Sequence, residues 1–314
     1  MRSTVTMHHI EIPIAGSHLA GLCSFTPPDF SDHAVNRALP TDKPLLIMLH
    51  GWQDNAASFT PLFPALAAHF SVLAMDWPGH GLSPHRAVDN FSHFVDYVDD
   101  LAQVMAALTP PDGVLPPVIL TGHSLGALVA VCYAAAFPEQ VERLVLIEGL
   151  APLSEPPTQA AERLRQGIMS RQRFRQRAQH RLSRSMATFE QALALRCHVN
   201  HLSAEQLRPI VTRGVYEAHG RWWWRHDPRL RCDSLYRMGS EHAQALASAV
   251  TAPILSIVGH HGYPHWKLSH AAQQTWSSLI QHEVTGGHHC HLESPHAVTE
   301  QILLFSSKIK KLIG

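Results

Sequence analysis

Runs of apolar residues without polar alternation punctuate the chain: Leu45 to Leu49, Phe70 to Asp76, the stretch opening at Val118-Ile119-Leu120, Val141 to Ile147, and Pro253 to Gly259. A strand that is apolar at every position is covered on both faces, which is the signature of a parallel sheet between helix layers. Helical periods lie between these runs. Residues 55–68 read as one helix, and residues 91–108 as another, with apolar groups at Phe91, Phe94, Val95, Val98, Leu101, Met105 and Leu108. Ala127 to Tyr133 reads as an apolar helix, and 238–249, 267–277 and 294–312 as further helices, with a short strand at 280–285. Residues 6–14 and 18–25 predict a β-hairpin around Ala15-Gly16-Ser17, and the Pro-rich segment from Pro27 to Pro44 a long loop. Strands alternating with helices predict an α/β fold: a mostly parallel sheet with right-handed crossovers, covered by helices on both faces.

The pattern changes at 150–236, which shows no convincing strand and reads as several helices inserted into a core made of 1–149 and 237–314. Charge divides the chain at the same boundaries. The insertion carries 15 Arg, no Lys and 7 acids, a net of +8, and the remainder a net of −8. A basic helical cap over an acidic core is electrostatically complementary. Read as a helix, the Arg-biased segment 163–184 gathers Leu164, Ile168, Phe174, Ala178 and Leu182 in one stripe and leaves its arginines on the other faces. That charge suits a solvated face first, and an anionic substrate or partner second.

Bulk composition narrows the class. With 314 residues, 45% hydrophobic and 16% charged, the chain is globular and can bury a sizeable core. Zero formal net charge argues against a general nucleic-acid binder. Five scattered cysteines (23, 132, 197, 232, 290), odd in number and without metal-type spacing, suggest free thiols in a reducing compartment. The first residues lack the apolar core of a secretion signal, and no run approaches the roughly 20 apolar residues of a membrane span. The expectation is a cytoplasmic protein with no membrane span.

The candidate chemistry centres on Gly122-His123-Ser124-Leu125-Gly126, set between an apolar strand and an apolar helix. This is the G-x-S-x-G nucleophile elbow in its strand–turn–helix context. Ser124 must sit at the tip of a sharp turn, and Gly122 and Gly126 let strand and helix pass closely. A serine hydroxyl needs a base to remove its proton. The candidate is His288 in Gly286-Gly287-His288-His289-Cys290-His291-Leu292-Glu293-Ser294-Pro295, because two glycines free its backbone to turn. His289 and His291 then become packing or surface residues. A zinc site shared with His260, His261 and His265 is the rival reading, though no ligand pair stands at helical spacing with a supporting carboxylate. An oxyanion needs two fixed N–H donors: Leu125 supplies one, and Trp52, after His50-Gly51, the other. His50, Gly51, Gly122, His123 and Gly126 support the elbow and the oxyanion loop.

His50-Gly51-Trp52, Asp76-Trp77-Pro78-Gly79-His80-Gly81-Leu82-Ser83, the elbow, and Gly287-His288 with Glu293-Ser294-Pro295 together resemble the α/β-hydrolase fold superfamily. Leu146-Ile147-Glu148-Gly149-Leu150, Trp224-Arg225-His226-Asp227-Pro228-Arg229-Leu230 and Gly262-Tyr263 resemble a narrower group, the serine hydrolase-like proteins. The resemblance implies a structural role for Asp76. It implies hydrolysis of a carboxylic ester through an acyl-enzyme on Ser124, with His288 as general base and then general acid and no cofactor or metal. A serine at the elbow separates the chain from the dehalogenase and epoxide hydrolase branches, which use a carboxylate nucleophile. Thioester, amide or carbon–carbon bond hydrolysis uses the same constellation, and a ligand-binding protein that no longer turns over is the alternative of a different class. The substrate expected is a small molecule with an apolar acyl or aromatic part, walled by Trp222, Trp223 and Trp224 unless these pack inside the cap. The departure from the superfamily is the triad acid. It usually follows the strand ending here at Gly259, yet no Asp or Glu occurs between Glu241 and Glu283. Glu148, at the end of the strand after the elbow helix, is the expected acid, with Asp227 and Glu283 as competitors.

Overall fold

The computed structural model describes residues 6–30, 39, 42–110, 113, 115–180, 185–269, 276 and 278–313, the side chains of 178–180 and 308–313 excepted. Among them, one eight-stranded sheet is built from β1 (His8–Ile14), β2 (Ser17–Cys23), β3 (Leu45–Leu49), β4 (Ser71–Met75), β5 (Val118–His123), β6 (Val141–Ile147), β11 (Ile254–Gly259) and β12 (Leu279–Val284). The strands lie in the order β1-β2-β4-β3-β5-β6-β11-β12. The β1–β2 hairpin is antiparallel and joins β4 antiparallel, and every later pairing is parallel. The continuous apolar runs follow from the two layers. Ile47, Leu49, Leu73, Leu120 and Leu146 enter one core with α2 (Asp96–Leu108) and α3 (Leu125–Ala136). Their neighbours Leu46, Met48, Val72, Ile119 and Val145 enter the other, with α1 (Phe63–Leu66) and the terminal helix Pro295–Ile313. Period two is present, but both phases are buried.

Several expectations are corrected. The segment 55–68 is no single helix: a 3₁₀ turn at Ala56–Phe59 is followed by the one-turn α1. Pro61 and Pro64 have no N–H to extend a ladder, so each break falls beside a proline. The helix expected from residue 91 begins at Asp96. The insertion does contain strands: β8 (Val215–Ala218) and β9 (Arg221–Trp224) form a hairpin, and β7 (Ser154–Glu155) pairs with β10 (Met238–Gly239). In α4 (Ala160–His180) the expected apolar stripe is not covered, for Leu164 and Ile168 are 47% and 43% exposed. Phe174 is half-buried and meets Phe91 edge-on, while Leu182 and the side chain of Ala178 lie outside the described residues. Much of the helix expected at 267–277 lies outside them too, as does most of the long loop before Leu45. A 3₁₀ turn at Pro264–Trp266 precedes that helix position.

Charge joins the insertion to the sheet at specific points. Besides α4 it holds α5 (Phe189–Asn200) and α6 (Ala204–Gly214). Arg213 of α6 is 6% exposed in its side chain, and its Nε donates to both oxygens of the fully buried Asp76 at 3.1 and 2.9 Å. Asp76 also accepts from the amides of Ala56 (2.7 Å) and Leu82 (2.8 Å). One carboxylate thus ties the loop after β3, the turn after β4 and the insertion. Arg196 of α5 pairs with the buried Asp54, and Arg229 forks onto Asp227 and the carbonyls of Arg86, Ala87 and Asn90. In α4, by contrast, Arg171 and Arg175 rest over the Phe91 ring at 4.5 and 5.2 Å.

The tightest backbone approach lies where β5 turns into α3. A Cβ added at Gly126 would stand 2.0 Å from the carbonyl oxygen of Leu49, and one at Gly122 would stand 2.4 Å from the amide nitrogen of Ala127. Both obstacles are backbone and cannot swing aside. Gly126→Ala is expected to cost about 3 kcal/mol or more, since relief requires moving a central strand. Urea denaturation measures this, and a loss under about 1 kcal/mol would mean that the crossing is softer than its geometry implies.

Candidate active site

Ser124 links β5 to α3 with φ 49° and ψ −116°, a backbone state that side-chain-bearing residues rarely occupy. Its amide donates to the carbonyl of Ile147 at 2.9 Å. The loop after β3 presses on the same point, for a Cβ at Gly51 would meet Ser124 Cβ at 3.2 Å. Leu125 opens α3, so its N–H belongs to the unbonded first turn. Among the described residues, neither this N–H nor that of Trp52 has an acceptor. The Trp52 ring is 40% exposed and meets His80 and Tyr97 edge-on.

Two histidines hold these loops. His50 Nδ1 donates to the Gly51 carbonyl at 2.7 Å and its Nε2 accepts from the Trp77 amide at 3.0 Å, which fits one neutral tautomer. The Trp77 indole returns a bond to the His50 carbonyl at 3.0 Å. His123 Nε2 donates to the carbonyl of His288 at 2.8 Å. The residue just before Ser124 therefore grips the backbone of the residue expected to serve it.

Glu148 also has positive φ (50°) and is 1% exposed. Its amide bonds to Ile257 on the next strand, and the turn throws its carboxylate across the ends of β6 and β11. Oε1 accepts from the Gly259 amide at 2.7 Å, and Oε2 from the Tyr263 amide at 3.1 Å. His288 Nδ1 lies 3.3 Å from Oε2, with the His288 side chain 25% exposed. The competing acids are engaged elsewhere: Asp227 with Arg229, Glu283 with Lys267 at the surface.

The remaining histidines divide. His260 faces Glu283 across 3.7 Å and His265 stacks on Tyr263. His291 is fully buried, its ring 4.3 Å from that of His123. His289 Nε2 sits 3.4 Å from Asp54, a residue the sequence reading passed over. Asp54 lies at the meeting point of the oxyanion loop, the His288 loop and, through Arg196, the insertion. Burial would raise its carboxyl, but the His289 bond and the Arg196 charge outweigh this and hold it well below the usual range. An acid shortly after His-Gly-Trp was the available signal, although its partners lie 142 and 235 positions away and local pattern does not reach them.

Burial pushes His50 and His291 down to about 3, His80 to about 4, and His123 well below its ordinary value. These four stay neutral when folded, while the unfolded chain protonates them near pH 6.5. Their contribution is complete above about pH 6.5 and is lost as pH falls toward the folded values. Four such groups give a slope on the order of 5 kcal/mol per pH unit below about pH 5.5, enough against ordinary domain stability to unfold the chain near pH 5. Circular dichroism between pH 7.5 and 4 tests this, and constant stability down to about pH 4.5 would contradict it.

The sheet order, the strained serine turn and the helices on both faces define a hydrolase fold. Residues 44–294 match the alpha/beta hydrolase fold family, and the chain belongs to it. It is 30% identical over 268 residues to a serine hydrolase-like protein of Danio rerio, covering 83% of this chain and 80% of that protein. A solved structure of a hypothetical protein from Pseudomonas aeruginosa PAO1 superposes with TM-score 0.79 at 29% identity, covering 96% of this chain and 99% of that one. Over 129 residues the chain is 33% identical to the 2-(acetamidomethylene)succinate hydrolase of Mesorhizobium japonicum, 38% of this chain and 44% of that enzyme. No helix among the described residues is long and apolar enough to cross a membrane.

Proposed function

We propose that this hydrolase cleaves a small carboxylic ester through an acyl-enzyme on Ser124. The observation that carries the reading is the pair of Glu148 and His288 Nδ1 at 3.3 Å, in a loop whose backbone is held by His123, the residue before the strained serine, while among the described residues Ser124 Oγ has no hydrogen bond to His288. Glu148 accepts the Nδ1 proton, holds the imidazole in the tautomer whose Nε2 is basic, and stabilises the imidazolium. His288 takes the Ser124 proton as Oγ attacks the acyl carbon, then returns it to the departing alkoxide. The Trp52 and Leu125 N–H groups receive the oxyanion. Water, activated by the same histidine, then releases the acid.

The 150–236 insertion acts as a cap, and apolar surface between it and the sheet suits an apolar acyl or aromatic part. All five cysteines are free, which fits a reducing, cytoplasmic setting. The second reading is amide cleavage, favoured by the relative whose name gives a substrate bearing an acetamido group.

A fluorophosphonate probe is expected to label the wild type and not Ser124→Ala, with the variant as stable as the wild type. An unlabelled wild type that also turns over no p-nitrophenyl ester would favour a non-catalytic binding protein. Glu148→Gln keeps the size of the side chain and loses its charge, so kcat is expected to fall by about two to four orders of magnitude. A loss under threefold would remove Glu148 from the triad.

A further inference from the structure

Between α5, α6, the β8–β9 hairpin and the loop after β3 lies a cleft of about 340 Å³, within the range of small-ligand sites. Gln53 and Asp54, the two residues after Trp52, form its floor. Asp54 is also 3.9 Å from His123, the residue before Ser124. The cleft thus borders neighbours of the elbow, although neither Ser124 nor His288 is among its lining residues. A larger groove of about 760 Å³ lies against the outer side of α6 and the β1–β2 hairpin, away from Gln53 and Asp54.

Part of the wall of the smaller cleft is apolar, and Gln53, Asn55, Ser185 and Gln191 make another part neutral and polar. Met186, Ile210 and Val211 are buried within it, and Leu195 and Val199 stand at its rim 48% and 68% exposed. Against this apolar surface two guanidinium groups enter from the insertion. Arg196 is spent on Asp54, although its buried Nε–H has no acceptor among the described residues. Arg231 is exposed, and its Nη2 meets His226 Nε2 at 3.3 Å. Burial and the Arg231 charge push His226 down to about 3, so it is a neutral acceptor and cancels no charge. Among the described residues no carboxylate lies within ion-pair distance of Arg231. The lining thus sums to one uncompensated cation beside an apolar wall.

We infer that this cleft receives an organic anion, and that the substrate of the proposed hydrolase is an ester whose apolar chain ends in a carboxylate held by Arg231. A guanidinium offers a planar fork that matches a carboxylate. Its exposed position at the mouth lets it draw an anion in before the chain seats on Leu195 and Val199. Trp52 stands next to Gln53, so a chain running along the floor delivers its ester toward the oxyanion donors. This inference rests on the hydrolase reading for the word substrate, but the anion site stands without it.

The test compares two esters of equal acyl length: mono-p-nitrophenyl glutarate, with a terminal carboxylate, and p-nitrophenyl pentanoate, without one. Wild type is expected to favour the glutarate by at least about tenfold in kcat/KM at low salt, with the preference shrinking as salt rises. Arg231→Gln is expected to lower the glutarate-to-pentanoate ratio at least about tenfold. Arg231→Glu should turn the preference toward the p-nitrophenyl ester of 4-(trimethylammonio)butanoate. A wild-type ratio below about two, or the same ratio in wild type and Arg231→Gln, overturns the proposal. If neither ester is cleaved, the hydrolase reading fails by itself, and calorimetric titration with monomethyl glutarate, which keeps one free carboxylate, and with methyl pentanoate, which has none, decides the site. Tighter monomethyl glutarate binding that Arg231→Gln removes supports it, and equal binding of the two esters to wild type refutes it.

Discussion

The whole arrangement depends on how closely a strand and a helix can pass. The carbonyl of Leu49 occupies the space that any side chain at position 126 would need, and the first turn of α3 occupies the space beside Gly122. Only because both positions lack a Cβ can the chain reverse at Ser124 in so sparsely allowed a backbone state. That reversal sets three things together: the serine at the tip, the Leu125 N–H at the opening of α3, and the loop of Gly51 and Trp52 pressed against the turn. The strain is held by ordinary bonds at its margins, from Ser124 to Ile147 and from His123 to the backbone of His288.

A second layer of control is electrostatic and buried. Asp76 and Asp54 are both removed from water, and each is answered by an arginine from the insertion. Such pairs add little net stability, because desolvation consumes most of the attraction, but losing one partner strands a charge in the interior. They therefore specify one seating of the insertion over the sheet more than they strengthen it. Arg213 and Arg196 join the +8 insertion to buried carboxylates of the −8 remainder, while most of the α4 guanidinium groups remain on its exposed faces.

The sheet was legible because burial on both faces leaves an unbroken apolar run, and its spacing by helical periods implied parallel pairing, though not the order of the strands. The β8–β9 hairpin was not read, although its signal was present. His219-Gly220 adopts positive φ at both residues (53° and 68°), the two-residue turn that matches strand twist. Arginines and tryptophans around it obscured the alternation. The α4 stripe shows the opposite failure: its period was real, yet period alone does not say whether a surface waits to cover it. At the site, the pattern could point to Ser124, Glu148 and His288 because the first two directly follow β5 and β6 and the third lies in the loop after β12, at the same edge of the sheet. Asp54 could not, because its partners come from α5 and from the loop before the last helix.

The ends of β6 and β11 compete for a single small volume. The Glu148 carboxylate is fixed there by two amides and an imidazole, and a Cβ at Gly262 would lie 1.9 Å from its Oε1. In the superfamily this chain resembles, the acid customarily follows the strand that corresponds to β11. Here the end of β11 and the loop after it supply the two amides that hold the Glu148 carboxylate, and Gly262 is the room the carboxylate occupies. A side chain at 262 and a carboxylate at 148 therefore exclude one another, so that the two positions are sterically coupled across neighbouring strands although 114 residues separate them.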